Sequence, residues 1–222
     1  MSLINLTTKN RNSRQVTMNI LKVIPALLAI VLSGCSIYKA PPQVANYYFL
    51  DSDKDLASIG RVAIIELTNE SSYPQIASEV TEALFHSFQK RQLFGLSIVY
   101  LNDPAWRSLQ LDVSSTYTLE QLLAIRKALK CDAMLIGTIT SYQPYPHMSI
   151  GLNLKLIDLK DGQLVWALEQ IWDSADKTTE SHIKSYFKKQ LHSDFAPLHE
   201  RVMLLSPIEF IKFVACEAAE TM

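Results

Sequence analysis

Two periodicities alternate along this chain. Arg61-Val62-Ala63-Ile64-Ile65-Glu66-Leu67 is a dense, β-branched run, the pattern of a central strand buried on both sides. From Pro74 the period changes. Ile76, Val80, Leu84 and Phe88 recur at every fourth position, Ala77 and Phe85 widen the stripe, and Glu79, Glu82, Gln89 and Lys90 fall elsewhere on the wheel. This predicts an amphipathic helix with Pro74 in its first turn, where no N–H partner is missed, and an end near Gly95. Ser97–Leu101 reads as the next strand, and an irregular stretch with Asp103-Pro104 and Trp106 follows. Thr118-Leu119-Glu120-Gln121 has the spacing of a capping box, and Leu122, Ile125 and Leu129 supply the inner face of the helix it opens. Ala133–Tyr142 is a third strand-like run. Met148–Leu159 then alternates through Ile150, Leu152, Leu154 and Leu156, the period of a strand with one buried face. Asp161-Gly162 predicts a two-residue hairpin turn with positive φ at both positions. Gln163–Trp172 returns as the partner strand, with Leu164, Trp166, Leu168 and Trp172 on a common face and both tryptophans in the core. Two helices close the chain. Thr178–Leu191 carries Ile183, Tyr186, Phe187 and Leu191, and Ser206-Pro207-Ile208-Glu209 combines an N-cap, a Pro at the first helical position and a Glu at the third, ahead of an Ile211, Val214, Ala215 and Ala218 stripe. Tyr47-Tyr48-Phe49-Leu50 predicts a short first strand.

Upstream of these elements the pattern is different. An apolar run from Val23 to Leu32 follows Lys22, with Arg11 and Arg14 further back. A basic region, an apolar stretch of about ten residues and small residues before a cleavage point describe a secretory signal. The run is too short for a bilayer span, which needs about 20 apolar residues. Leu32-Ser33-Gly34-Cys35 closes it and resembles a bacterial lipoprotein lipobox, which implies acylation of Cys35 as the mature N-terminus. Met18 followed by Asn19-Ile20-Leu21-Lys22 would itself begin a compact signal, so translation from Met1 and from Met18 are both compatible with the pattern. The expected organisation is a signal peptide over 1–34, a lipidated tether over 35–46 that includes Pro41-Pro42, and a single periplasmic αβ domain over 47–222. Ser36 after the cysteine is similar to the residue typical of outer-membrane sorting.

Charge and composition narrow the partners. The 222 residues hold 21 basic and 22 acidic side chains; the signal contains Lys9, Arg11, Arg14 and Lys22 and no acid, leaving 17 basic against 22 acidic, a net charge of −5. That balance argues against nucleic acid or an anionic lipid surface, both of which favour clustered Lys and Arg. With Cys35 acylated, Cys131 and Cys216 remain in a compartment where a disulfide persists; either they pair or they are two buried free thiols. No CxxC or HExxH spacing occurs, and His86, His147, His182, His192 and His199 are dispersed, so neither a metal nor another cofactor is expected. Glu66, Asp132 and Asp158 fall at predicted strand ends and turns, where capping and solvated roles dominate. With six glycines, phosphate-cradling loops are scarce, and isolated Gly137 and Gly151 fit close backbone packing. No spacing singles out a nucleophile and its base, and the expectation is a protein that is not an enzyme.

Three segments carry a resemblance: Arg61–Val99, Cys131–Thr140 and Leu152–Trp166, sharpest in Cys131-Asp132-Ala133-x-Leu135-x-Gly137 and Asp158-x-x-Asp161-Gly162-x-x-x-Trp166. Together they resemble envelope lipoproteins related to the curli-secretion protein CsgG, the N-terminal domain of TolB and the polysaccharide-export lipoprotein PelC. The resemblance implies an α/β (α+β sandwich) fold, with a mixed sheet of about five strands, helices packed on it and C-terminal helices added. It also implies non-enzymatic work in secretion, export or envelope biogenesis, often as membrane-attached rings. A channel-forming hairpin does not fit, because Met148–Trp172 carries Lys155, Asp158 and Lys160, which a lipid-facing strand avoids.

The expected function is a lipid-anchored periplasmic interaction or assembly module of an envelope complex, held to the outer membrane through Cys35, with envelope proteins or further copies of itself as partners. A ring-forming export component and an envelope enzyme are the competing readings. For the contact surface, Ser141–Met148 stands out: two prolines lower the entropy lost on ordering, and Tyr142, Tyr145 and His147 offer amphipathic contact area. A rigid connection whose tyrosines cover the sheet end is the alternative. Replacing Cys35 with Ala removes the acyl acceptor. The variant is expected to stay unprocessed or become soluble, and mass spectrometry of the membrane-bound wild type should find acyl mass on Cys35.

Overall fold

A computed structural model describes residues 47–113, 116–190 and 206–222. The signal, Cys35, the tether, Leu191, His192 and His199 lie outside the described residues. The centre of the fold is β2 (Arg61–Ile65), whose Val62, Ala63, Ile64 and Ile65 are all fully buried. It lies between two parallel neighbours, β4 (Gly95–Val99) and β5 (Ala133–Gln143), which is why its sequence is apolar without alternation. The seven strands form one open mixed sheet in the order β1-β7-β6-β5-β2-β4, with β3 (Thr68–Asn69) pairing parallel to β5 beyond the end of β2. β5, β6 (Ser149–Asp158) and β7 (Leu164–Asp173) are an antiparallel meander, and β1 (Tyr48–Leu50) pairs antiparallel on the outer side of β7. The mixed α/β class is the expected one; among the described residues the sheet has seven strands where about five were expected. β1 is the short first strand predicted at Tyr47–Leu50, and β3 is an additional two-residue segment held as a strand by β5, the longer neighbour it joins.

Helices cover the two faces unequally. On the first face, α1 (Ile76–Arg91) sets Ile76, Val80, Leu84 and Phe88 against Val62, Ile64, Leu135 and the apolar side of β6 and β7. Thr81 is fully buried in that contact; its hydroxyl donates to Ala77 O at 2.7 Å and accepts from Leu67 N at 3.1 Å, tying the helix to the exit of β2. Pro74 stands just before the helix, in a turn where Ile76 N donates to Tyr73 O at 3.2 Å, and Gln75 is the N-cap. The helix ends at Arg91, short of Gly95, because Gln92 takes a left-handed conformation (φ 54°); Gly95 instead opens β4, two residues ahead of the expected strand start. On the second face, α2 (Pro104–Arg107) and α3 (Leu119–Leu129) pack Trp106, Leu122 and Ile125 over Ala63, Ile65 and Met134. The α2 turn, expected to be irregular, is nucleated by Asp103, whose carboxylate accepts from Ala105 N at 2.8 Å. The α3 capping box forms as predicted, with Gln121 N donating to the Thr118 hydroxyl at 3.3 Å and Thr118 N to the Gln121 side chain at 2.8 Å.

The remaining helices, α4 (Lys177–Gln190) and α5 (Pro207–Ala219), join the first face. In α5, Phe210, Ile211, Phe213, Val214, Ala215 and Ala218 are buried, and the helix lies along α1. Pro207 occupies its first turn as expected. Ser206 makes no side-chain cap, and the Glu209 carboxylate accepts from Lys212 at 2.7 Å instead of closing a capping box. Trp166 locks the far end: its indole N–H donates to the Thr221 hydroxyl at 3.0 Å, that hydroxyl donates to Ala218 O at 2.7 Å, and the Phe88 ring meets the indole edge-on at 6.0 Å. A disulfide does not form between Cys131 and Cys216. Cys131 is buried in the second-face core while Cys216 sits on α5 on the first face, and both thiols are free. Burial pushes the Cys131 thiol up to about 11.

The β6–β7 connection differs from the expected two-residue turn. Asp158 N donates to Gln163 O at 3.0 Å and Gly162 N to Asp158 O at 2.9 Å, so Leu159 to Gly162 form a four-residue loop in which Gly162 alone has positive φ (75°). The longer loop exists because Leu159 is fully buried in the second-face core, its N–H donating to Asp132 O at 2.9 Å. Lys54 clamps the loop from outside, donating to Asp158 at 2.9 Å and Asp161 at 2.7 Å, and the Asp161 carboxyl is held below its ordinary pKa by that bond. A register shift between Leu156 and Ile157 makes Val165 the extra residue. Val165 is therefore buried and Leu164 leaves the tryptophan face on which it was expected, becoming 38 % exposed. Gly137 is required where β5 and β6 approach: a Cβ there would stand 2.5 Å from Asn153 O.

Gly162→Val forces a β-branched side chain into the positive-φ region, with its Cβ only 2.8 Å from Leu122 Cδ1. It is expected to cost about 1–2 kcal/mol from backbone strain alone, lowering Tm by about 2–8 °C in thermal denaturation.

Candidate contact surfaces

The sequence-selected segment joins β5 to β6 at one end of the sheet, and the fold sorts its side chains into different environments. Met148 is buried and anchors the return. Its N–H donates to the Ser174 hydroxyl at 2.9 Å and Ser174 N donates to Met148 O at 2.8 Å. The Gln143 side-chain amide donates to Tyr145 O at 2.9 Å, bracing the loop from the strand side. Tyr145 is 71 % exposed and His147 is exposed, while the flanking Ile139 and Ile150 are fully buried. Tyr142 is not part of that exposed pair. Its ring meets Tyr73 edge-on at 5.3 Å and is half-buried, and burial, with the Glu79 carboxylate adding, raises its hydroxyl pKa. Of the three residues selected from sequence, the structure leaves Tyr145 and His147 available and uses Tyr142 in packing.

The carboxylates considered as candidates are occupied separately. Glu66 accepts from Leu101 N at 3.0 Å. Asp132 accepts from Arg61 N and from the Arg126 guanidinium, each at 3.2 Å. Asp158 accepts from Lys160 N at 2.9 Å as well as from Lys54. These bonds join strand ends and turns, the role expected of them. His86 and His147 are exposed on different elements, whereas His182 is buried on α4 with Nδ1 3.5 Å from Glu217. Burial lowers the His182 pKa, opposed by Glu220. Among the described residues no three His, Cys, Asp or Glu side chains come together in a way that could hold a metal ion.

Two surfaces escaped the sequence reading. On the second face, α3 covers only the β2 side of the sheet and leaves a cleft of about 380 Å³ beside it, lined by Glu70, Tyr117, Thr138, Asn153, Lys155 and Ile157. Burial, with Asp112 adding, pushes the Tyr117 hydroxyl up to about 12. The available signal was the polar half of each alternating strand, set against the limited helical cover that the chain supplies between β4 and β5. The second surface is the outer edge, where Tyr47, Tyr48, Phe49 and Leu50 are all exposed. Its signal was four consecutive large apolar residues immediately after the tether.

No family model matches the sequence, and no curated protein sequence matches it. Solved structures show partial likeness. A PelC dodecamer from Paraburkholderia phytofirmans, carrying a single substitution, aligns over 61 % of this chain and 89 % of its own, at 13 % identity and a TM-score of 0.43. Lipoprotein GNA1162 from Neisseria meningitidis aligns over 60 % of this chain and 99 % of its own, also at 13 % identity and a TM-score of 0.43. The LpoB C-terminal domain from Salmonella enterica covers 51 % of this chain and 82 % of its own, at 19 % identity and a TM-score of 0.38. At these TM-scores and identities the likeness assigns neither a family nor a function to this chain.

Tyr142 and Tyr145 should respond differently to truncation. Tyr145→Ala is expected to change stability by under about 0.5 kcal/mol, as for exposed loop positions. Tyr142→Ala, which removes the edge-on contact with Tyr73, should cost more than about 1 kcal/mol. Urea titrations of the two variants check the contrast.

Proposed function

We propose that this chain is a lipid-anchored, non-catalytic interaction module of the bacterial envelope, held on the periplasmic side of the outer membrane and contributing to assembly, secretion or export. The observation that carries this reading is Leu32-Ser33-Gly34-Cys35 at the end of the short apolar run. Each buried CH₂ of an acyl chain contributes about 0.8 kcal/mol, so the several chains of an acylated lipoprotein cysteine form a lasting anchor. The described residues add a support for contact. Tyr145 is presented on a braced loop between buried strands, so little ordering remains to be done when a partner binds.

Crosslinking in native membranes followed by purification of the full-length protein tests the reading. Envelope proteins are expected among the products, with at least severalfold lower recovery from Tyr145→Ala at equal abundance and equal Tm. Repeated recovery of the protein alone as a monomer would sink the proposal, as would a soluble, unacylated mature form.

A further inference from the structure

The outer edge of the sheet carries an apolar strip that no element of the described fold covers. β1 is bonded to β7 on one side only. Tyr47 O accepts from Glu169 N at 3.0 Å and Asp51 N donates to Val165 O at 2.9 Å. Alternation along an antiparallel strand then turns the backbone polar groups of Tyr48 and Leu50 outward. Phe49 stands opposite Ala167, on the sheet face that α3 leaves bare; Tyr47, beside Glu169, and Ile171 share that face by the two-residue period of the strands. Tyr47 is 75 %, Phe49 49 % and Ile171 62 % exposed. No charge or proline interrupts Tyr47–Leu50, although these are the usual guards of a free edge.

The position of the strip in the chain indicates what covers it. Eleven residues lie between Cys35 and Tyr47, a reach of at most about 43 Å even when fully extended. Once Cys35 is acylated, a premise taken from the function proposed above, the strip is confined within that distance of a bilayer. A contact too weak to recruit protein from solution is effective at such proximity, because the anchor makes it intramolecular in character. The side chains suit the interfacial zone: tyrosine pairs an apolar ring with a hydroxyl that reaches water, the property that concentrates it at headgroup level. Charge favours an uncharged lipid surface. The strand is followed by Asp51, Asp53 and Asp55, and the intervening Lys54 is paired with Asp158 and Asp161.

We propose that Tyr47, Phe49 and Ile171, with Tyr48 and Leu50 at the rim, form a membrane-contact strip that enters the headgroup region of the bilayer holding the lipid anchor. The strip gives the domain a defined orientation on the membrane, which a single point of attachment at Cys35 does not supply.

The test uses full-length, processed protein in zwitterionic phosphatidylethanolamine–phosphatidylcholine vesicles with bromine-labelled acyl chains. Tyr47→Trp and Phe49→Trp place a reporter in the strip, and Ile208→Trp places one on an exposed position of α5. The native tryptophans, Trp106, Trp166 and Trp172, are buried and common to all variants. Either strip reporter is expected to lose at least twofold more of its added fluorescence to the brominated lipid than the α5 reporter, with a blue-shifted emission. Equal quenching at the strip and at α5, in protein whose mass shows acylated Cys35, overturns this inference and leaves the anchor intact. Absence of acyl mass overturns the anchor and the inference together. A disulfide-linked dimer formed by Tyr48→Cys, with the strip reporters unquenched, assigns the edge to a second copy of the chain and overturns the membrane contact.

Discussion

Burial of β2 on both faces is the constraint on which the rest of the fold depends. Val62 and Ile64 point one way and Ala63 and Ile65 the other, all without solvent exposure, so the strand requires a helical layer on each side. The chain supplies them through its two crossovers. α1, between β2 and β4, covers the first face, and α3, between β4 and β5, covers the second with α2 beside it. Among the described residues no further crossover follows β5. The meander of β5, β6 and β7 is joined by short loops that stay in the sheet, and its first face is closed by α1, α4 and α5, while its second is covered only over the first part of β5 and left open beyond it. The same constraint therefore produces a doubly covered half, which forms the core, and a singly covered half, which provides open surface.

Side-chain hydrogen bonds at the sheet ends secure this division. The Thr81 hydroxyl couples α1 to Leu67, and Thr221 receives the Trp166 indole N–H that the core would otherwise leave without a partner. An unmade bond at such a buried donor costs about 1–3 kcal/mol, which makes the C-terminal turn part of the core and not an appendage. At the β6–β7 connection, the end of the hairpin near Trp166, Lys54 reaches both Asp158 and Asp161, linking the segment after β1 to the connecting loop. Partly exposed pairs of this kind contribute little to stability individually, and their effect is chiefly geometric.

Environment separates residues that look equivalent in sequence. Tyr142 and Tyr145 lie three positions apart in one proline-containing segment, yet one ring packs against Tyr73 and the other stands in solvent. The difference arises because Tyr142 still belongs to β5, where it pairs with Ile150, whereas Tyr145 lies beyond the last pair, Gln143 with Ser149. The same logic applies to Cys131 and Cys216. Both are small, weakly polar side chains near the ends of apolar runs, and the sheet stands between the layers to which they belong.

The sequence by itself determined the elements whose signals are local. The apolar run of β2, the four-residue recurrence of α1, the Thr118–Gln121 capping box and the alternation of β6 each encode a backbone period or a terminal hydrogen bond within a few residues. The exposed loop at Tyr145 was legible for the same reason, since prolines and polar neighbours mark a connection locally. Tertiary structure alone decided the remainder. β3 is a strand only because its longer partner β5 completes its hydrogen bonds, and burial of Leu159 lengthens the hairpin loop while the bulge at Val165 turns Leu164 away from the tryptophans. Which strand face remains bare depends on the side to which each crossover helix goes. Register, bulges and layer assignment arise from contacts between residues distant in the chain, and a local pattern of apolar and polar positions does not specify them.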